Sequence, residues 1–298
     1  MKVLPREERT ASGVMMMALA VAFFSGIDVT AKWLTLAGLP VIQIVFIRYL
    51  VHFALGLAIY FPLEGKDVFH SHAPARQILR SFFLFGGTIF NFTALKHLPI
   101  TVTTAINFAQ PIVITLLAIP ILGERVGIRR VLAVCAGFFG VLIVVQPWGA
   151  EFDWALFYSL TTLLIASLYF IMTRMLAGVE SNSTQQIWSS GLAVAALMPF
   201  AIPIWIWPDA PLEWTILLLI GAFGFFGHSA TAIAHRWADA SILAPMIYSQ
   251  AIWAVLAGIF IFQSWPSIWT YIGSIVIACS GLYIWRRESG KEIKSANV

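Results

Sequence analysis

The residues of this chain whose types and spacing could do chemistry are polar side chains set inside long apolar runs. Ser25, Asp28 and Lys32 follow at steps of three and four, which puts a hydroxyl, a carboxylate and an ammonium on one face of a helix. Two readings of that pair stand open: Asp28 and Lys32 pair on a polar surface, or Lys32 reaches for the membrane interface with Asp28 only as its partner. Thr88 and Asn91 share a face, Thr103, Asn107 and Gln110 form a stripe, and His228 with Thr231 and Gln250 with Trp253 repeat the theme later in the chain. Tyr248 lies on a face next to Gln250, and Tyr169 offers another ring. Amides and hydroxyls donate and accept without titrating, and a Trp or Tyr face can stack or take a cation. His228 could switch charge near neutral pH or stay a neutral hydrogen-bonded group. Arg48, one turn from His52, could reach headgroups or meet a substrate carboxylate.

This is the chemistry of holding a ligand. The apparatus for breaking bonds is missing: there is no His-Glu-x-x-His, no Walker A run, no pair of intramembrane aspartates and no Gly-x-Ser-Gly element. Apart from Glu213 at the very start of one run, Asp28 is the one carboxylate within the apolar runs. No enzyme is expected, and no cofactor or metal. Asn and Gln can also bond across helices as packing glue, and that reading stays open for each of them taken singly.

The elements that must position these groups follow from composition. Of 298 residues 60% are hydrophobic and 11% charged, with mean hydropathy +0.86, against about 25% charged in soluble domains. There is too little charge to cover a water-facing surface, so the bilayer is the solvent. The runs Ser12 to Leu36, Val41 to Phe61, Gln77 to Leu95, Pro99 to Ile119, Ile128 to Gln146, Trp154 to Leu176, Gln185 to Trp207, Leu212 to Ala234, Ala240 to Phe262 and Ile268 to Trp285 are each near the length that crosses ~30 Å of hydrocarbon. The expectation is an all-α integral membrane protein of ten transmembrane helices, its first helix retained rather than cleaved as a signal peptide. Cys135 and Cys279 both lie in apolar runs, so neither a disulfide framework nor a Cys-rich metal site is expected. Most tryptophans fall near span ends, as interfacial belts require; Trp253 is mid-helix.

An even number of spans puts both termini on one side. Taking that side as cytoplasmic gathers Lys2, Arg6, Arg9, Lys66, Arg76, Arg80, Arg125, Arg129, Arg130, Arg174, Arg236, Arg286, Arg287, Lys291 and Lys294 there, all but three of the 18 Lys and Arg residues. Lys96 alone falls in an outer loop, and Lys32 and Arg48 lie inside spans. This is the positive-inside asymmetry. The charge therefore reports orientation, not a nucleic-acid footprint.

The second half repeats the first at an offset near 140: positions 83–128 hold ten identities in 46, among them Gly87 with Gly227, Ala94 with Ala234 and Gln110 with Gln250. At offset 142 Ser25 pairs with Ser167, Lys32 with Arg174 and Gln43 with Gln185. Five spans per repeat is odd, so the halves insert with opposite polarity. Two inverted five-helix repeats, 1–148 and 149–298, are the architecture of alternating-access transporters, with the site near the midplane between them. Pro111 and Pro245 interrupt the fourth and ninth runs, each freeing a carbonyl, and are the expected hinges.

Asn91-Phe92-Thr93-Ala94-Leu95-Lys96-His97-Leu98-Pro99, then Gln110-Pro111 and Leu122-Gly123-Glu124-Arg125, resembles the fourth-helix signature of the EamA-type branch of the drug/metabolite transporter superfamily. Ala238-Asp239-Ala240-Ser241-Ile242-Leu243-Ala244-Pro245 with Tyr248, and the run from Gly273 to Tyr283, are similar to that family's closing repeat; Gln263-Ser264-Trp265-Pro266 departs from its usual Gly-Glu-x-Pro. The resemblance covers nearly the whole chain and implies ten helices, cytoplasmic termini and a central cavity. It is specific for fold and poor for substrate.

The expected function is that of a bacterial inner-membrane secondary transporter exporting small metabolites, amino acids including aromatic ones first, as in aromatic amino-acid exporters. A multidrug or quaternary-ammonium exporter is the alternative, gaining if Asp28 is unpaired, and a lipid enzyme is the remote one. Nucleotide sugars would need a more cationic midplane than the sequence shows. The expected partners are a small-molecule substrate and the lipid bilayer, in a monomer or homodimer.

Overall fold

The computed structural model describes residues 10–122, 128–146, 153–176, 179–237 and 244–296. Its helices are α1 (Thr10–Leu36), α2 (Val41–Glu64), α3 (Pro74–His97), α4 (Ile100–Asn107), α5 (Gln110–Leu122), α6 (Ile128–Val145), α7 (Leu156–Leu176), α8 (Asn182–Ala201), α9 (Pro211–Trp237), α10 (Gln250–Phe260) and α11 (Ile268–Ala296). Short 3₁₀ turns occupy Gly65–Phe69, Ile202–Ile204 and Ala244–Ser249. α1, α2, α3, α7, α8 and α9 are long and apolar enough to span a bilayer singly. α4 with α5, α6, the last 3₁₀ turn with α10, and α11 supply shorter apolar stretches. Ten spans result, as the runs of hydrophobicity predict.

Helix limits follow local chemistry. Pro40 and Pro99, in extended backbone, precede α2 and α4, where a missing N–H costs nothing. The Ser181 side chain caps α8 by accepting the Thr184 N–H at 2.9 Å. Gly38, after α1, takes φ +95°, a left-handed turn that side chains resist. Large apolar side chains such as Phe139 on α6, Leu218 on α9 and Ile275 on α11 are more than half exposed, an arrangement that a lipid surface favours and water does not.

The packing closes under exchange of halves. α1 lies on α9 and α3 on α7; α2 touches α9 and α3 touches α8; and α2–α8, α4–α10 and α6–α11 pair each span with its own counterpart. α6 and α11 meet closely at Gly140 and Gly273. A Cβ at Gly140 would stand 3.0 Å from the Gly273 carbonyl oxygen, and one at Gly273 2.7 Å from that of Gly140. Such contact needs small residues. One apolar core, with Leu34, Tyr49, Leu217 and Ile220, joins α1, α2, α8 and α9; a second, with Ile106, Ile112, Val141 and Ile277, joins α4 to α7 and α11.

The breaks in spans four and nine are themselves symmetric. α4 stops at Asn107 and α5 starts at Gln110; α10 starts at Gln250, its counterpart at offset 140. Pro111 is the second residue of α5 and Pro245 the second of the 3₁₀ turn. The Gly123 to Arg125 motif and Ala238 to Leu243 lie outside the described residues, as do Lys2, Arg6, Arg9 and Glu151.

Candidate functional site

Asp28 sits two turns before the end of α1 and is shared between the halves. Its Oδ1 accepts from Asn91 Nδ2 on α3 at 2.8 Å, and its Oδ2 accepts from Gln250 Nε2 on α10 at 3.0 Å. Gln250 is the first residue of α10, so the carboxylate lies beside the positive end of that helix. Two neutral amides and a helix terminus hold it, with no cation within ion-pair distance among the described residues.

Lys32 does not pair with Asp28. Its Nζ donates to the carbonyls of Leu95 (2.8 Å) and Leu98 (2.7 Å), and the side chain is 7% exposed. Those carbonyls belong to the C-terminal turn of α3 and the residue after it, where helical partners run out and a cation is favoured. Lys32 is thus a bolt between α1 and the end of α3, which corrects the expected pairing of Asp28 with Lys32.

A second polar cluster lies on α2, α3, α7, α8 and α9. Arg80 Nε donates to Thr173 Oγ1 (2.8 Å), Nη1 to Ser189 Oγ (2.6 Å) and the Gln185 carbonyl (3.3 Å), and Nη2 to the Tyr169 hydroxyl (2.9 Å). It therefore ties the first half to the second. Its expected position among cytoplasmic charges is corrected: at 6% exposure it is a buried group of the bundle. Arg48 is buried too, its guanidinium 4.4 Å from the centre of the Tyr49 ring rather than among headgroups. His52 pairs through Nε2 with Gln186 Oε1 at 2.6 Å. His228 stands among rings, 5.2 Å from Phe24, 5.8 Å from His52 and 6.5 Å from Tyr169. Arg80 and Asn91 are 11 residues apart on α3, or ~16 Å along its axis, so the two clusters cover much of the membrane's depth. With Arg48 and Arg80 inside, the interior is more cationic than the sequence reading allowed.

The other expected site residues divide. Thr88 Oγ1 donates to the Leu84 carbonyl and accepts the Tyr49 hydroxyl at 2.8 Å, joining α3 to α2 beside the second cluster. Thr231 and Thr103 donate to carbonyls of their own helices, those of Gly227 and Ile100. Gln110 is buried at the start of α5, and Asn107 is half-buried at the end of α4. Tyr248 packs its ring edge-on to Phe108, centroids 5.4 Å apart, with its hydroxyl buried and unpaired. Trp253 is not brought to either cluster: it is 45% exposed, on a stripe with Leu256 and Phe260 that faces away from the buried Ala254 and Ala257.

Sequence reasoning missed Arg80, Gln186 and Ser189 as members of the interior. The available signal was position: Gln186 and Ser189 share a face of a predicted span, and Arg80 lies within the run Gln77 to Leu95. It also missed Glu180. This residue, 8% exposed, accepts from Ser71 Oγ (2.5 Å) and the Ala73 N–H (2.8 Å), while Ser183 Oγ donates to Glu64 (2.6 Å). Together they latch the α2–α3 connection to the α7–α8 connection on the side of the termini.

Ten spans in two inverted halves, with polar groups from both halves meeting inside, are the build of a secondary transporter. The chain belongs to the EamA-like transporter family, which it matches over residues 11–146 and again over 153–286. It is 30% identical to a riboflavin transporter of Rhizobium johnstonii, over 97% of this chain and 95% of that protein. To the riboflavin transporter of Vibrio cholerae it is 25% identical, covering 96% and 97%, and to the S-adenosylmethionine uptake transporter of Rickettsia prowazekii 25%, covering 92% of each. A solved crystal structure, 18% identical, superposes with TM-score 0.67 over 93% of this chain and 99% of its own, which shows a shared fold. The protein is a multi-pass membrane transporter of small metabolites.

Proposed function

We propose that this transporter carries a planar nitrogen heterocycle bearing a hydroxylated chain, riboflavin first, and that it works in the direction of uptake. The observation that carries the reading is the makeup of the interior. The Arg80 guanidinium lies 4.7 Å from the Tyr169 ring and the Gln186 amide holds His52, itself beside the rings of Phe225 and His228; the Asp28 carboxylate and its two amides add polar groups at another depth. Relatives named for riboflavin and for S-adenosylmethionine uptake support it, since both named substrates join such a ring to a hydroxylated sugar-derived group, an open chain in riboflavin and a cyclic ribose in S-adenosylmethionine. The two halves rock about the Asp28 and Arg80 clusters, in the bacterial inner membrane with both termini cytoplasmic, and the breaks at Pro111 and Pro245 serve as hinges. The two repeats are taken as 1–148 and 149–298.

Amino-acid export, aromatic substrates included, draws on the same amides and rings and is the second reading. An Asp28 without a cationic partner also keeps a quaternary-ammonium exporter in the comparison. One assay separates them. Purified protein in liposomes is given labelled riboflavin, S-adenosylmethionine, phenylalanine or tetraphenylphosphonium, against empty liposomes. Saturable riboflavin entry, competed by unlabelled riboflavin and not by phenylalanine, is the expected result; transport of phenylalanine alone would return the assignment to amino acids.

A further inference from the structure

Arg48 and His52 are 4% and 2% exposed, yet Arg48 Nε and Nη1 and His52 Nδ1 have no hydrogen-bond partner. Buried polar atoms are nearly always paired, and a guanidinium left with unmet donors is among the costlier exceptions. Two of these nitrogens, Arg48 Nε and His52 Nδ1, stand together with the Nη2 of the same guanidinium. A Cβ placed on Gly224 of α9 would have His52 Nδ1 at 3.4 Å, Arg48 Nε at 3.7 Å and Arg48 Nη2 at 3.7 Å as its nearest neighbours. Both side chains on α2 thus close on a bare stretch of α9 backbone.

The polarity of this edge can be read from its surroundings. Gln186 Nε2 donates to Ser229 Oγ at 3.2 Å, which leaves Gln186 Oε1 to accept from His52 Nε2–H at 2.6 Å. A neutral imidazole with its proton on Nε2 presents a lone pair at Nδ1. The edge therefore combines guanidinium donors with one acceptor. Its complement is a carbonyl, or ring nitrogen, next to an N–H. A carboxylate would satisfy Arg48 but would set its charge against the Nδ1 lone pair. Rings flank the edge: Phe225 meets His52 edge-on at 5.7 Å, and His228 lies 5.8 Å from it.

We propose that Arg48 and His52, closing on Gly224, form the subsite that reads a neighbouring carbonyl and N–H on a planar nitrogen heterocycle. Arg48 donates to the carbonyl and His52 Nδ1 accepts from the N–H. The edge is sealed in this conformation. Because α2 belongs to the first half and α9 to the second, rocking of the halves parts the two helices and admits the ligand. Glycine at 224 leaves the room that the inserted ring edge uses. The subsite rests on the heterocycle-transport reading for its natural ligand, but its chemistry can be tested apart from it.

Purified wild type, Gly224→Ala and Arg48→Gln are melted with riboflavin, with uracil, which has this edge and little else, and with 1,3-dimethyluracil, which keeps the carbonyls and lacks any N–H. Riboflavin and uracil should each raise the wild-type midpoint by about 2 °C or more at saturating concentration, and 1,3-dimethyluracil by much less. Both variants should lose these shifts, with affinity down about tenfold or more. Gly224→Ala keeps the comparison sound if Arg48→Gln fails to fold, since its new methyl makes only ordinary contacts and alanine favours the helix. A uracil shift without a riboflavin shift, lost in Gly224→Ala, would sink the riboflavin reading and leave the subsite standing. No wild-type response to uracil, an equal response to 1,3-dimethyluracil, or an undiminished response in Gly224→Ala would overturn the subsite.

Discussion

Lys32 lies one helical turn beyond Asp28 on α1, yet its ammonium turns onto the Leu95 and Leu98 carbonyls while the carboxylate is held by Asn91 and Gln250. The two charges that the helix places on one face thus serve different elements. Lys32 fastens α1 to the end of α3 within one half, whereas Asp28 links that half to α10 of the other.

Lys32→Met should therefore act on stability. It leaves two carbonyls in a buried setting without their charged donor, a loss of about 1–3 kcal/mol. The thermal midpoint should fall, and the affinity of the folded fraction for substrate should stay near wild type. A weakened affinity at an unchanged midpoint would place Lys32 in the site after all.

Asp28→Asn keeps the shape but sets an amide N–H₂ against one of the donors of Asn91 and Gln250. Transport is expected to fall by more than about tenfold, from lost hydrogen bonds to charge of about 1.5–3 kcal/mol. Asn91→Leu and Gln250→Leu should each cost less, and a double-mutant cycle with Asp28→Asn should show coupling. Strict additivity in that cycle would mean that the contacts seen here do not act as one unit.

Arg80→Gln removes a cation that makes four hydrogen bonds between α3 and the helices α7 and α8. Breaking such a buried network typically costs about 3–5 kcal/mol, so yield and thermal midpoint should drop sharply. Arg80→Lys should recover little, because an ammonium cannot reproduce a planar fork that serves Thr173, Ser189 and Tyr169 at once. Full rescue by lysine would show that only the charge matters.

Glu180→Gln weakens the latch to Ser71 and Ala73 and should favour opening on the side of the termini. Maleimide labelling of Thr184→Cys, a buried position beside the latch, offers a readout in a background with Cys135 and Cys279 replaced by Ser. Labelling several-fold faster than in the Glu180 parent is expected. Unchanged labelling would make the latch a static contact.

Gly273→Val puts branched bulk where even a Cβ meets the Gly140 carbonyl oxygen at 2.7 Å. α6 and α11 would have to part, and the folded yield measured by size-exclusion chromatography should collapse. A tolerated valine would mean that this pair of spans is loosely held.

The sequence by itself determined the solvent, the number of spans and the repeat, because these depend on properties summed over about 20 residues, and hydrocarbon admits few alternatives to helices that satisfy their own backbone. It also placed Asp28, Asn91 and Gln250 on helix faces that could meet. What it could not decide was which partner each polar group takes. Helical phase gives a direction, but Lys32 next to Asp28 and Arg80 near a span end look the same whether they face a neighbouring helix, a headgroup or a ligand. Only tertiary structure, by bringing Leu95 to Lys32, Tyr169 to Arg80 and Gly224 to Arg48, chose among them, since a buried charge goes wherever donors and acceptors from other helices converge on it.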